Sequence, residues 1–215
     1  KSFRLGNVEF ALLVPYRGMV SSSKLLDTIY NRFSMPWVVG NMQVELNTSF
    51  GELICTDQAW NATDIMEFLN FSLSLAKESK NHIVRFDETI YRKMEQRNQV
   101  IKFMQHAFRE NLFQVWYQPI YNCRTGKFDI AEALIRMKDP EGNYITPGVF
   151  IPLAEEHGMI TEISRIVFRD VCRLLTETSA DVLGSVSVNL SMQQFMSKNL
   201  ISDIRQLMDQ YHFDP

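Results

Sequence analysis

The sequence predicts an α/β protein built from three consecutive stretches. Three observations carry this: short strand-type runs alternate with helix-type periods over residues 1–87, a polar stretch without Gly or Pro covers 88–111, and two alternating strands joined by a turn at Thr125-Gly126 open residues 112–215.

In the first stretch, residues 9–14 form a strand candidate after a turn at Gly6-Asn7. Ser22 or Ser23 is the expected cap of a helix that carries Leu25, Leu26, Ile29, Tyr30 and Phe33 on one stripe. Residues 42–55 then read as extended chain. Asn61 with Asp64 three residues on has the form of a capping box, followed by Ile65, Leu69, Leu73 and Ala76 at helical spacing. The chain turns at Asn81, and residues 82–87 close the unit as a strand.

The polar stretch 88–111 reads as a connecting helix. Ile90, Met94, Ile101, Met104 and Phe108 recur on a 4-3-4 type stripe that Arg97 interrupts. Because the pattern barely reaches ~3 heptads, packing against a neighbouring domain is the expectation, with a self-association face as the lesser alternative.

In the third stretch, alternation over 112–120 and 128–136 predicts a hairpin. Side chains alternate with period two, so Ile130, Glu132, Leu134 and Arg136 share one face, and Ala131, Ala133 and Ile135 the other. An acid among apolar neighbours needs a partner. A salt bridge to Arg136 is the structural option, and from the strand alone the favoured one; a divalent cation held by carboxylate oxygen is the functional option. Thr146 is placed to cap a helix with Pro147 at its first position, and His157-Gly158 to end it. Ile163, Ile166, Val167, Val171 and Leu174 mark the next helix. A last strand puts Val186, Val188 and Leu190 on one face, and Ser185, Ser187 and Asn189 on the other. Asn189 reads as a strand-end residue bonded to its own turn, or within Asn-x-Ser as a glycosylation pattern in exported chains. Glu155 and Glu156 read as helix-end structure, and Met192 and Met196 as core filler. His82, His106, His157 and His212 lack metal spacing and receive no role.

A formal net charge of -3, from 22 Lys+Arg against 25 Asp+Glu, gives no general positive field, so no DNA or RNA partner is expected and an anionic membrane is not favoured. The apolar runs fall short of the ~20 residues of a membrane-spanning helix. Cys55, Cys123 and Cys172 are odd in number and far apart, which argues against a disulfide framework or thiolate metal site and suggests a cytoplasmic setting. The chain starts on Lys1 with no leader after it, so it is read as a window on a longer protein, compatible with a membrane tether upstream.

Two family resemblances organise these features. Arg4-Leu5-Gly6-Asn7-Val8-Glu9-Phe10, Ser49-Phe50-Gly51 and Ala76-Lys77 resemble the signature hairpin, a later strand and the last long helix of GGDEF diguanylate cyclase domains. Asn7 stands where the family has its second glycine and Val8 where it has an aspartate, leaving Glu9 of the acidic pair and Phe10 after it. The resemblance therefore implies a degenerate cyclase motif at Gly6, Asn7, Val8, Glu9 and Phe10, without cyclase activity, and GTP as a ligand that it could still bind.

Four further segments resemble, in order and spacing, the first half of EAL domains. They are Tyr117-Gln118-Pro119-Ile120; Ala131-Glu132-Ala133-Leu134-Ile135-Arg136; Pro147 with Phe150-Ile151-Pro152-Leu153-Ala154-Glu155; and Val188-Asn189-Leu190-Ser191. The whole chain thus resembles the junction of a tandem GGDEF–EAL signalling protein: 1–87 the end of a degenerate GGDEF-like α/β sandwich, 88–111 a connecting helix, and 112–215 the N-terminal half of an EAL-type (β/α) barrel. The resemblance implies hydrolysis of cyclic di-GMP to linear pGpG with Mg²⁺ or Mn²⁺. It implies Glu132 and Asn189 as metal ligands, Gln118, Leu134 and Arg136 as nucleotide contacts, and a homodimer through the EAL domain or the connecting helix. The family's remaining acids and its lysine come from later motifs, so these residues alone are expected to be inactive. A nucleotide sensor without turnover and a protein-interaction scaffold are the alternatives.

Overall fold

A computed structural model describes residues 1–55, 60–196 and 198–212. The chain divides into two units, Lys1–Met94 and Glu95–Pro215, and each is described by itself. The overall class is mixed α/β, as expected.

The first unit opens with a hairpin of β1 (Ser2–Arg4) and β2 (Phe10–Leu12), antiparallel with Arg4 opposite Phe10. The expected strand over 9–14 is shorter because its partner offers three residues. The first helix, α1 (Met19–Phe33), begins after Gly18, whose φ of 94° suits glycine. Neither Ser22 nor Ser23 caps it. Both lie inside, and the Ser22 hydroxyl donates back to Gly18 O at 3.3 Å, satisfying itself on the preceding turn. Leu25, expected on the apolar stripe, is exposed, whereas Leu26, Ile29, Tyr30 and Phe33 are half-buried. The Tyr30 and Phe33 rings lie against Phe50, with centroids 6.1 and 6.2 Å away.

The stretch read as continuous extended chain is broken. β4 (Met42–Val44) pairs with β3 (Trp37–Val39) across a turn at Gly40, φ 60°, while β5 (Phe50–Glu52) runs parallel to β6 (Ile83–Arg85). Parallel strands need a crossover. Here it is α2 (Ala62–Glu78), started by the expected capping box: Asp64 N donates to Asn61 Oδ1 at 2.9 Å and Asn61 N to Asp64 Oδ2 at 3.4 Å. Its buried stripe is rotated from the expected one. Phe68, Ser72 and Ala76 are buried, with Ile65, Leu69 and Leu73 half-buried beside them. Gly51 explains part of this close packing. A Cβ there would meet Leu69 O at 2.8 Å and Leu73 N at 2.9 Å, so the α2 backbone sits where a side chain at position 51 would have to go.

Helix α3 (Glu88–Glu110) follows, its first turn closed by Ile90 N donating to Asp87 Oδ1 at 2.9 Å. Met104 and Ala107, on its later part, are fully buried in the core of the second unit. Arg97, which interrupts the stripe, forms an ion pair with Glu156.

In the second unit β7 (Phe113–Asn122) pairs antiparallel with β8 (Lys127–Lys138). β10 (Ser185–Val188) pairs parallel with the other edge of β8, and the short β9 (Tyr144–Ile145) also pairs with β8. Between β8 and β10 the chain crosses over through α4 (Pro147–Glu156) and α5 (Ile160–Glu177). Thr146 occupies the cap position of α4 without a side-chain bond, and Pro147 starts the helix. His157 ends it, with Gly158 at φ 70°.

One face of the sheet is closed by this layer. Met137, Phe113, Phe150, Leu153, Ile160 and Ile163 form a core with Met104 and Ala107. Ala133 packs with Val167 and Val171, flanked by Val115, Tyr117, Val186 and Val188. The Tyr117 hydroxyl donates to Asp170 Oδ2 at 2.9 Å, and burial first, then this carboxylate, push its phenol pKa well above the ordinary value. No helix among the described residues is long and apolar enough to cross a membrane.

Candidate functional site

The opposite face of the same sheet carries the candidate site. Period-two alternation sends Ala131, Ala133 and Met137 into the core, so Glu132, Leu134 and Arg136 face the other way. The antiparallel register adds residues of β7 to that face, with Gln118 opposite Glu132, Trp116 opposite Leu134 and Gln114 opposite Arg136. On the other edge Ser187 is level with Glu132, and Asn189 follows one residue beyond the end of β10.

Glu132 and Asn189, 57 residues apart in sequence, meet here: Asn189 Nδ2 donates to Glu132 Oε1 at 2.7 Å. Asn189 thus bonds across to β8 instead of to its own turn. The salt bridge between Glu132 and Arg136 is not formed. Four residues along a strand span about 13 Å, too far for a contact along one strand. Arg136 instead donates from Nη1 to Ile135 O at 2.9 Å, and its guanidinium lies 5.4 Å from the Trp116 ring centroid.

The segment after Asn189 is held by a residue that sequence reasoning passed over. Ser191 and Gln194 form a capping box for the single turn α6 (Met192–Phe195): Ser191 N donates to Gln194 Oε1 at 3.0 Å and Gln194 N to Ser191 Oγ at 3.3 Å. Gln194, 5% exposed, also donates from Nε2 to Ile160 O at 3.3 Å and to Ser164 Oγ. It ties the turn behind Asn189 to the start of α5. Met192 and Met196 are not core filler; they are 77% and 75% exposed, because Gln194 takes the inward position of that turn. The Ser-x-x-Gln pattern was the available signal. Replacing Gln194 by alanine strands the Ser191 amide and the buried Ser164 hydroxyl, with an expected loss of about 1–3 kcal/mol. Urea unfolding checks it: the midpoint falls while the slope stays constant.

A carboxylate and a carboxamide in contact offer hard oxygen donors of the kind Mg²⁺ and Mn²⁺ accept. The amide shows its NH₂ to Glu132, so its carbonyl oxygen is the atom to turn toward a cation. The pair fits two positions of a coordination sphere. Among the described residues no group of three or more His, Cys, Asp or Glu side chains is placed to hold a metal.

Gly6, Asn7, Val8, Glu9 and Phe10 lie at the exposed tip and edge of the first hairpin, in the other unit. The tip folds on itself: Leu5 N donates to Glu9 O at 2.9 Å, and Arg4 donates to Gly6 O and Asn7 O at 3.0 and 3.3 Å. Glu9 forms an exposed ion pair with Lys77 at 3.2 Å. His82 sits 3.3 Å from Ser49 Oγ through Nδ1.

The EAL domain pattern matches residues 102–215. Over an alignment of 217 positions that covers 99% of its length, the chain is 27% identical to MucR of Pseudomonas aeruginosa, described as a bifunctional diguanylate cyclase/cyclic di-GMP phosphodiesterase. It is 28% identical, over an alignment of 218 positions that again covers 99% of its length, to the signaling protein YkoW of Bacillus subtilis. The chain spans 31% and 27% of those two relatives, less than a third of their length. A solved structure of the MucR phosphodiesterase in complex with c-di-GMP superposes with a TM-score of 0.51 at 29% identity, covering 54% of this chain and 48% of that one. With its matched segment holding Gln118, Glu132, Leu134, Arg136 and Asn189 on one sheet face, the chain belongs to the EAL domain family.

Proposed function

We propose that the protein carrying this sequence works in cyclic di-GMP signalling, as a phosphodiesterase that opens cyclic di-GMP to pGpG on the open face of the β7–β8–β10 sheet. The observation that carries the reading is the Asn189–Glu132 contact of 2.7 Å beside Gln118 and Arg136. MucR, similar to this chain over almost its whole length, has the phosphodiesterase name, and the related solved structure holds c-di-GMP.

In this reading Glu132 and Asn189 hold a divalent cation. When bound, Mg²⁺ or Mn²⁺ there supplies charge stabilisation for phosphodiester cleavage. Arg136 offers a fork of donors to a phosphate oxygen, Gln118 an amide across from Glu132, and Leu134 an apolar surface between the two charged groups. Residues 112–215 correspond to the first half of an EAL barrel, and 88–111 to the helix leading into it. Residues 1–87 correspond to the end of a degenerate GGDEF unit, a reading supported by the cyclase half of the MucR name and by the Gly6–Phe10 hairpin.

Incubation of the whole protein carrying this sequence with cyclic di-GMP in Mg²⁺ or Mn²⁺, with chromatography of the products, tests the proposal. Appearance of pGpG is the expected result. Binding by calorimetry without turnover points to the sensor role instead; neither heat nor product overturns the assignment.

A further inference from the structure

Trp116 and Tyr144 stand on the same sheet face as Glu132 and are 47% and 46% exposed. Two large rings outside both hydrophobic clusters of their unit give up burial that the core would reward. They are nonetheless fixed in place. Their centroids are 5.2 Å apart at 73°, and Gln114 Oε1 accepts from both polar edges, from Trp116 Nε1 at 3.4 Å and from the Tyr144 hydroxyl at 3.0 Å. Arg136 lies 5.4 Å from the Trp116 ring centroid and Lys138 4.9 Å from that of Tyr144. The result is a braced aromatic surface with two cations beside it.

Its position matters as much as its chemistry. Trp116 is opposite Leu134, two residues along β8 from Glu132, or about 7 Å. That step is comparable to the reach from a nucleotide's phosphate to its base. A phosphodiester held at Glu132 and Asn189 therefore leaves a base level with the indole. We propose that Trp116, braced by Tyr144 and Gln114, is the stacking surface for one purine base of a cyclic dinucleotide, with Arg136 beside it for the adjoining phosphate. This rests on the proposed cyclic di-GMP reading and adds to it the residue that holds the base.

Stacking on an aromatic ring depends on the π surface and tolerates exchange of one ring for another. Calorimetry with cyclic di-GMP in Mg²⁺ is therefore run on the wild type, Trp116→Ala and Trp116→Phe, each checked for an unchanged melting temperature. Expected is a roughly ten- to hundredfold weaker Kd for Trp116→Ala, the loss that follows from removing one stacked base, and recovery to within about threefold for Trp116→Phe. Indole emission falls on adding cyclic di-GMP to the wild type, and that change disappears in Trp116→Phe. Wild-type affinity in Trp116→Ala, or a Trp116→Phe as weak as Trp116→Ala, overturns the stacking role while leaving the cyclic di-GMP reading in place. A wild type that does not bind cyclic di-GMP overturns both.

Discussion

In the whole protein carrying this sequence, Glu132→Ala is expected to reduce formation of pGpG from cyclic di-GMP by at least about 10²–10³-fold, the scale on which removal of a single preorganised electrostatic group acts. The reasoning starts from the strand. Its two neighbours, Ala131 and Ala133, are buried, so β8 keeps its place whatever stands at 132. What the substitution removes is the carboxylate that meets Asn189 at 2.7 Å, and with it one of the two oxygen donors proposed for the cation. Glu132→Gln separates the two roles of the side chain. It keeps an acceptor for Asn189 Nδ2 but carries no charge, so activity and Mn²⁺ affinity fall together while the melting temperature holds. Parallel assays of product, Mn²⁺ binding and thermal unfolding check this. Full turnover in Glu132→Gln removes the carboxylate from the account.

The second large effect is on stability. Phe150→Ala is expected to cost the second unit about 3–5 kcal/mol, the range for deleting a buried aromatic side chain with little collapse around the void. Phe150, on α4, is 0% exposed and lies in one core with Met104 and Ala107 of α3, Met137 of β8 and Ile163 of α5; its ring centroid is 6.2 Å from that of Phe113 on β7. A void there touches every layer behind the candidate site. Against a typical total of about 5–15 kcal/mol, the loss is a large fraction, measurable as a fall in urea midpoint. A change below about 1 kcal/mol would show that the core closes over the gap.

How much of this was legible in the sequence depends on the range of the interaction. Period-two alternation placed Glu132, Leu134 and Arg136 on one face and Ala131 and Ala133 on the other, because side-chain direction along a strand is local. The Asn61–Asp64 box and the end of α4 at His157-Gly158 were local too. The same local reasoning failed at Ser22, where a hydroxyl inside a helix bonds back to the preceding turn, and at Met192 and Met196, where a buried glutamine displaced the expected apolar residues. It also paired Glu132 with Arg136 without allowing for the strand's rise.

The contacts that make the candidate site are long-range. Asn189 reaches Glu132 only because α4 and α5 return the chain to lay β10 parallel beside β8. Trp116 meets Tyr144 only because β9 pairs with the end of β8. Family resemblance singled out Glu132 and Asn189 through motif order. Trp116 and Tyr144 lie outside those motifs, and no periodicity in the sequence brings them together.

Cyclic di-GMP and a divalent cation are proposed to meet on this sheet face, and the side-chain amide resonances of Asn189 and Gln118 report on that meeting most directly. Titration with Mn²⁺ in the presence of cyclic di-GMP is expected to broaden the Asn189 amide signal first and the Gln118 signal next, with Glu132→Gln suppressing both effects. Saturable cyclic di-GMP binding with both amide signals unchanged would contradict the account.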